Sequence, residues 1–386
     1  MSFPHAKSLF VALGVALCCN ASPIFAQHGE HAGAQTQHGG QHNAPRNEAH
    51  GNSATAATKA TPPANPLTLT DMAGRKVVIP DITDRPYRVF GSAPPLNVLL
   101  HVINPENMIG LSFAVPPAAA EFFPPRVSRL PVLGGVFGQG PQMNAEAVLA
   151  LQPDFAIGWK SPFVDANRIE AGFARMGLPV VFIQLDTLAD WPAALRFTGK
   201  LLRQEKRGEE LARDVEQTLV RLEKLKTIPE ARRPRVYYAE GPDGLTTDCH
   251  LSFHTEALEL AGAYNVYRCT PKDHYGMEKV SLEQVLAYAP DIILTHDRGF
   301  ASLVRQSPRW QGVNAVREGR IHLIPRWPHN WVDRPPSVMR ALGALWLANL
   351  FYPTDFPLDV PTETRRFYRL FLGQELSDAQ LEGLFR

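Results

Sequence analysis

Residues 144–159 read NAEAVLALQPDFAIGW, and residues 281–296 read SLEQVLAYAPDIILTH. Glu, Val, Leu, Ala, Pro and Asp recur in register between the two stretches, beginning at Glu146 and Glu283. Each copy has Val and Leu at helical spacing, then a Pro-Asp stop, then a continuously apolar segment typical of a buried strand. A helix that leads into such a strand is characteristic of a parallel sheet covered by helices. The repeat therefore predicts two related α/β lobes.

Further apolar segments fit the same two sheets. They are residues 88–91, 108–111, 180–184, 235–239 and 321–324.

We predict an N-terminal lobe over residues 67–187 and a C-terminal lobe over residues 228–386. Residues 188–227 between them combine apolar residues at helical spacing with many Glu, Lys and Arg pairs. This pattern predicts a connecting α-helix that Gly199 or Gly208 could interrupt. The predicted fold class is α/β, with two Rossmann-like lobes of parallel sheet joined by a single long α-helix.

The N-terminus has the pattern of a secretory signal peptide. An apolar run over residues 9–17 follows Lys7, and a polar segment comes after it. This predicts a cleaved signal over residues 1–26 and export to the periplasm. The run is too short to cross a membrane. Lipidation of Cys18 or Cys19 is the alternative.

Residues 27–66 are rich in Gly, Ala, Gln, Asn, Thr and His and carry almost no large apolar side chain, which predicts a disordered tail. The tail either binds Zn, Ni, Cu or Co ions loosely through its histidines or is a polar linker of accidental composition. The histidines are His28, His31, His38, His42 and His50.

Composition excludes several functions. The chain has 386 residues, of which 45% are hydrophobic and 20% charged, with a net charge of +1. These values are ordinary for a globular protein and leave no basic field to hold nucleic acid. The sequence lacks G-x-S-x-G, HExxH and P-loop motifs, and the glycines of residues 134–140 lack the strand-turn-helix context of a dinucleotide site. We therefore expect a protein that is not an enzyme.

Two α/β lobes joined by one long helix, after a signal peptide, resemble the periplasmic substrate-binding proteins of ABC importers for ferric siderophores, haem and cobalamin (the class III, helical-backbone family). The resemblance covers nearly all of residues 67–386. The similar segments are RVFGSAPPLNVLLHVINPENMIGLS (88–112), LPVLGGVFGQGPQMNAEAVLALQPDFAIGW (130–159), PRVYYAEGPDGLTTDCHLSFHTEALELAGAYNV (234–266), VSLEQVLAYAPDIILTH (280–296) and WVDRPPSVMRALGALWLANLFYPTDF (331–356).

The resemblance implies a monomeric carrier without an intrinsic cofactor, which captures a small-molecule metal chelate and partners an ABC permease and its ATPase. In this family an acidic residue on each lobe docks into a basic pocket of the permease. The matching positions are Glu146 and Glu283, which the internal repeat also aligns. The alternative is that the helix macrodipole alone favours glutamate at these helix starts.

Ligands of such proteins lie between the lobes, at the carboxyl ends of the strands. The loops expected there are residues 91–95, 159–163, 240–254, 296–300 and 325–334, and the segment around Tyr275 could also reach the cleft. Aromatic side chains suit a large organic chelate, and Arg334 could bind a carboxylate or catecholate oxygen or pair structurally with Asp333. The candidate ligand-binding residues are Ser92, Trp159, His250, His254, Tyr275, Trp327, His329, Trp331 and Arg334.

His250 and His254 are the sharpest metal candidates, because they are four positions apart at the start of a predicted helix and could share one ion. An Fe(III) chelate of the siderophore type is the first expectation, with Tyr275 as a hard oxygen donor. Nickel or cobalt, free or chelated, would suit the histidines, and haem and cobalamin are further alternatives.

The remaining cysteines, Cys249 and Cys269, are expected to form a disulfide in an exported protein, or else to be buried free thiols. A metal-cluster oxidoreductase subunit of the same fold would need additional ligating cysteines.

Overall fold

The computed structural model describes residues 66–137, 140–271 and 275–386. The predicted signal peptide and residues 27–65 of the polar tail, with its histidines, lie outside these residues, whereas Pro66 already begins the first strand. In the described part of the chain, we find no helix with the length and apolar character required to cross a bilayer.

The N-terminal lobe is built on a parallel sheet with strand order β3-β4-β5, next to an antiparallel hairpin of β1 and β2. Phe155 to Trp159 of the central strand are all buried, as a strand covered on both faces requires. The elements are β1 (Pro66–Thr70), β2 (Lys76–Pro80), β3 (Val89–Gly91), α1 (Pro94–Ile103), α2 (Pro125–Ser128), α3 (Ala145–Ala150), β4 (Phe155–Lys160), α4 (Ala166–Arg175) and β5 (Val180–Gln184).

The connecting segment contains one long helix and a shorter one that folds back against it. These helices are α5 (Trp191–Leu201) and α6 (Glu205–Glu223), with short 3-10 turns at Leu188–Asp190 and Lys224–Thr227. At about 1.5 Å per residue, the 19 residues of α6 span about 28 Å. Arg196 of α5 donates to Glu209 and Glu216 of α6 at 2.6 Å each, which holds the two helices together.

The predicted helix over residues 188–227 is therefore interrupted at residues 202–204. The expectation named Gly199 or Gly208 as the break, but both lie inside helices. A Cβ on Gly199 would come within 2.9 Å of the Cα of Gly208, so the absent side chains let the two helices touch. Arg203, at φ +57°, completes the reversal.

The C-terminal lobe contains a second parallel sheet with strand order β11-β10-β6-β8, and β7 pairs with β9 antiparallel beside it. Its elements are β6 (Arg235–Ala239), β7 (Thr246–Thr247), α7 (Glu256–Leu260), β8 (Tyr264–Asn265), β9 (Glu278–Lys279), α8 (Leu282–Tyr288), β10 (Ile292–Thr295), α9 (Arg298–Gln306), α10 (Asn314–Arg317), β11 (Ile321–Leu323), α11 (Met339–Phe351), α12 (Val360–Phe367) and α13 (Asp378–Leu384). The α/β fold class is confirmed.

The internal repeat has a structural cause. Asp154 and Asp291, the repeated aspartates, stand just before β4 and β10. Asp154 accepts a hydrogen bond from the backbone N–H of Arg88 at 2.7 Å, and Asp291 accepts one from that of Arg235 at 2.9 Å. Each aspartate thus fixes the start of the adjacent strand in its own sheet, which explains why the Pro-Asp stop occurs in both lobes.

Candidate ligand-binding cleft

A cavity of about 250 Å³ lies between the lobes, where the predicted loops leave the carboxyl ends of the strands. Both lobes contribute apolar and aromatic side chains, and the C-terminal lobe adds a histidine and an arginine. Its lining is Pro94, Pro95, Phe113, Phe137, Gly140 and Trp159 from the N-terminal lobe, and Phe253, His254, Tyr275, Arg334, Pro335 and Pro336 from the C-terminal lobe.

Aromatic rings form the walls and meet across the lobes. Phe137 packs against Trp159 at a centroid distance of 5.0 Å and lies nearly parallel to Tyr275 at 6.4 Å. Trp159 in turn packs against Phe253 at 6.1 Å. Rings held in this way supply large, rigid contact surfaces for a flat or unsaturated ligand.

Arg334 is the cation of the cleft. Its Nε lies 2.7 Å from Glu240 and 3.3 Å from Asp333, and its Nη2 lies 2.7 Å from Asp248. All three carboxylates are fully buried. Within the described residues Nη1 has no hydrogen-bond partner, and the side chain is 23% exposed at the cavity. The structure thus gives Arg334 a fixed structural pairing and leaves one donor nitrogen for a ligand.

The backbone of Arg334 supports a functional role. Its φ is +48°, a conformation that costs a residue with a Cβ some free energy. Strain of this kind persists only where surrounding contacts determine the position, and it clusters at binding sites. Here the ion pairs to three buried carboxylates provide those contacts.

The polar floor of the cleft surrounds Arg334 with buried carboxylates. Burial, and then the hydrogen bond to Glu240, raise the pKa of Asp248 to about 8, so Asp248 holds its proton at neutral pH. Burial alone would raise the pKa of Asp333, but His254 and Arg334 outweigh it and keep that pKa below its usual value. Arg334 therefore faces an ionised Asp333 and a protonated Asp248, with Glu240 and His254 beside them.

Asp248, His254 and Asp333 place ligand-type atoms within 4.8 Å of one another, which makes them a candidate donor set for a metal ion. His254 Nδ1 lies 2.6 Å from Asp333, an orientation common for metal-binding histidines. Both carboxylates, however, already pair with Arg334. A metal ion bound directly there would have to compete with the guanidinium.

His250 does not share this site. The predicted helix begins only at Glu256, after a 3-10 turn at Phe253–Thr255, so the spacing of His250 and His254 does not place them on one helix face. The pairing predicted from that spacing is wrong. His250 Nδ1 instead accepts a hydrogen bond from the backbone N–H of Cys269 at 3.1 Å.

Cys249 and Cys269 form a disulfide with their Cα atoms 5.4 Å apart. The bridge closes the loop that carries Phe253 and His254 into the cleft wall. With both sulfur atoms bonded to each other, neither cysteine is available as a cluster ligand.

Three other candidate residues, Ser92, Trp327 and Trp331, do not line the cavity. Ser92 and Trp331 are fully buried, and Trp331 donates its indole N–H to Tyr368 at 3.3 Å. The Tyr368 hydroxyl also donates to the carbonyl of Trp327. The segment therefore turns into the core, and none of its aromatic rings lines the described cavity. The ligand contacts predicted for Ser92, Trp327 and Trp331 therefore receive no support from this cavity and stay predictions.

His329 likewise belongs to the core. It packs against Phe123 at 5.4 Å and lines a separate cavity of about 30 Å³ together with His101. Burial, and then the neighbouring His101, lower the pKa of His329 to about 3, so it is neutral at physiological pH. The predicted ligand contact of His329 is not formed in this cleft.

The predicted docking glutamates occupy equivalent places. Glu146 and Glu283 are both exposed and lie in the first turns of α3 and α8, which Asn144 and Ser281 cap. The pKa of Glu283 is lowered by its own backbone N–H and by the Ser281 hydroxyl. This agrees with a helix-terminus effect and leaves the carboxylates accessible, so docking on a permease stays a prediction.

Sequence reasoning missed several members of the cleft. Phe113, Phe137 and Phe253 line the cavity, and Glu240 and Asp248 fix Arg334. Glu240, Asp248 and Phe253 do lie in the loop over residues 240–254 that the strand-end argument selected. Glu240 directly follows β6, and an acidic residue at a strand end was the signal that could have identified it as a partner of Arg334.

Comparisons with known proteins agree with this architecture. The profile of the family described as Periplasmic binding protein matches residues 126–326. The molybdate-binding protein MolA of Haemophilus influenzae is 27% identical over 330 residues, covering 78% of this chain and 90% of the relative. A vitamin B12-binding protein of Pectobacterium carotovorum is 28% identical over 210 residues, covering 54% of this chain and 71% of the relative.

Among solved structures, an ABC transporter solute binding protein of Sulfurospirillum deleyianum is 35% identical, with a TM-score of 0.77, and the match covers 82% of this chain and 98% of that one. These relatives are solute-binding transport proteins. The resemblance inferred from the sequence is confirmed: the chain belongs to the periplasmic binding protein family and is a solute-binding component of an ABC importer.

Proposed function

We propose that the cleft captures a compact metal chelate, in the first instance an iron(III) complex of the siderophore type, and delivers it to an ABC permease after export through the signal peptide. One observation supports this most directly. Arg334 presents Nη1 to an aromatic-lined cavity while three buried carboxylates hold the rest of its guanidinium. Such a donor suits an anionic oxygen of a chelator whose rings pack on the walls.

Cavity size favours a small ligand. The volume of about 250 Å³ lies below the roughly 300–1,000 Å³ typical of pockets for drug-sized molecules. Haem and cobalamin are larger than such molecules and would need a wider cleft. A compact complex with few chelating groups fits this arrangement better than either macrocycle.

The charges around Arg334 favour a complex in which the positive metal ion offsets the negative charge of its chelating oxygen atoms. The guanidinium of Arg334 is already paired with three buried carboxylates, so a doubly charged free oxyanion would be poorly compensated. Within a chelate, Fe(III) would favour the Tyr275 oxygen, whereas Ni(II) or Co(II) would favour the imidazole of His254. Both side chains line the cavity.

A molybdate-type oxyanion is the second candidate. It is favoured by the similarity to the molybdate-binding protein of Haemophilus influenzae, which extends over 90% of that relative. Arg334 Nη1 could serve as a donor to an oxyanion as it would to a chelator.

Calorimetric titration with ferric citrate, a ferric bis-catecholate, sodium molybdate, haemin and cyanocobalamin tests the proposal. We expect binding of a ferric chelate, and Arg334→Lys should weaken it because lysine keeps the charge but loses the fork. Loss of one charged hydrogen bond, about 1.5–3 kcal/mol, corresponds to about 10- to 150-fold in Kd.

The matched control is Arg326→Lys, since Arg326 stacks on Trp327 outside the cavity, 4.6 Å from the ring centroid. That variant should bind like the wild type. Binding of molybdate alone would support the second candidate, and binding of haemin or cyanocobalamin alone would contradict both.

A further inference from the structure

Arg340, in the first turn of α11, links the two lobes behind the cleft. It is fully buried, and its Nη1 donates to Glu256 at 2.5 Å and to the carbonyl of Asp186 at 3.0 Å. The same nitrogen lies 3.5 Å from the carbonyl of Phe253. Asp186 follows β5 of the N-terminal lobe, and Phe253 belongs to the cleft wall of the C-terminal lobe. One side chain thus contacts both walls.

Glu256 extends this link to the connecting segment. Both of its carboxylate oxygens accept from the backbone N–H of Leu188 at 2.9 Å each. Leu188 begins the first turn of the connecting segment, directly after the N-terminal sheet. Glu256 itself starts α7, immediately after the residues that carry Phe253 and His254 into the cavity.

This junction is unusual in its chemistry. A buried guanidinium is costly to desolvate and is a weak source of stability even when paired. Arg340 keeps Nη2 without a hydrogen-bond partner among the described residues, so its pairing is not optimised for stability alone. Its Nη1 instead joins Asp186 of the N-terminal lobe to Glu256 of the C-terminal lobe, while Nε lies 3.3 Å from the carbonyl of Ser337, just before its own helix.

We propose that Arg340 and Glu256 are positioning residues that set the separation of the two lobes and thereby the width of the ligand cleft. Neither residue lines the cavity among the described residues, so both act through the backbone of Phe253, Asp186 and Leu188. The inference rests on the cleft as the ligand site but not on the identity of the ligand.

The test measures the lobe separation without any ligand. Spin labels at Arg168→Cys in α4 and Ser302→Cys in α9 report the distance between the lobes by pulsed electron resonance, because both positions are exposed. We expect Arg340→Met to broaden the distance distribution and lengthen its mean. Arg340→Lys keeps the charge but has a single donor nitrogen, so its mean distance should lie between those of Arg340→Met and the wild type.

Arg235→Met is the matched control. Arg235 also holds backbone carbonyls, those of Tyr288 and Ala289, but all three residues lie within the C-terminal lobe. It should lower the melting temperature and leave the distance distribution unchanged.

A wild-type distance distribution in folded Arg340→Met or Arg340→Lys, with only a lower melting temperature, would overturn the proposal. If Arg340→Met fails to fold, Glu256→Gln decides the question, since the amide removes the charge while keeping similar shape. An unchanged distribution in Glu256→Gln and Arg340→Lys together would assign the junction a purely structural role. These outcomes do not depend on whether the ligand is an iron chelate.

Discussion

The buried side chain of His101 offers a quantitative test of how the free energy of unfolding depends on pH. It lies in α1, is 4% exposed, and packs against Phe123 at 5.4 Å. Among the residues that the structure describes, neither of its ring nitrogens has a hydrogen-bond partner. Burial, and then the charge of Arg207, lower its pKa to about 4. The perturbation is His101→Leu, which keeps a similar volume and removes both unpaired nitrogens.

The magnitude follows from proton linkage. In the unfolded chain histidine has a pKa of about 6.5, so between that pH and about 4 only the unfolded state binds the proton. Stability contributed at this site is therefore highest above pH 6.5 and is lost as the pH falls. From pH 6.5 to pH 5 the loss is about 1.5 pH units at about 1.36 kcal/mol each, or about 2 kcal/mol.

Urea unfolding followed by circular dichroism at pH 7 and pH 5 measures this effect. We expect His101→Leu to be at least as stable as the wild type at pH 7, because a buried polar group without partners costs about 1–3 kcal/mol. The advantage of the variant should then increase by about 2 kcal/mol at pH 5. His101→Gln is the control, since it removes the titration but keeps a polar group. A His101→Leu variant with the pH dependence of the wild type would refute the reasoning.

Two further predictions concern the partner and the covalent link. Glu146→Gln and Glu283→Gln should each slow association with the permease in lipid nanodiscs and reduce the salt dependence of the association rate, without changing ligand affinity. Association rates equal to those of the wild type would mean that the glutamates serve only to stabilise the helix termini. Replacing Cys249 and Cys269 by serine should lower the free energy of unfolding by about 3 kcal/mol, as expected for a loop of 20 residues, in urea titrations without reductant. A wild-type midpoint would show that the disulfide adds no stability.

The fold could be predicted from the sequence because the decisive pattern is local and occurs twice. Asp154 and Asp291 each make the same backbone contact to the neighbouring strand, so the repeat reflects a structural requirement. The interruption between α5 and α6 could not be predicted in the same way. Residues 202–204 contain neither Pro nor Gly, and the reversal depends on the packing of Gly199 against Gly208.

The position of a residue after a strand end was enough to place part of the candidate set at the cavity. Trp159, His254 and Arg334 lie at the cavity, because parallel strands direct their following loops to one edge. The burial of Trp331 could not be predicted, because it depends on a contact with Tyr368, which lies 37 positions away in the sequence. The pairing of Arg334 with Glu240 is equally long-range and has no local signature.

Analysis of the solute that co-purifies with the protein from its native host would identify what the cleft carries. Native mass spectrometry would give the mass of the bound solute, and elemental analysis of the same fraction would give its metal. We expect one iron atom per protein chain together with a compact organic chelator. Molybdenum without an organic mass, or an organic solute without metal, would contradict this expectation.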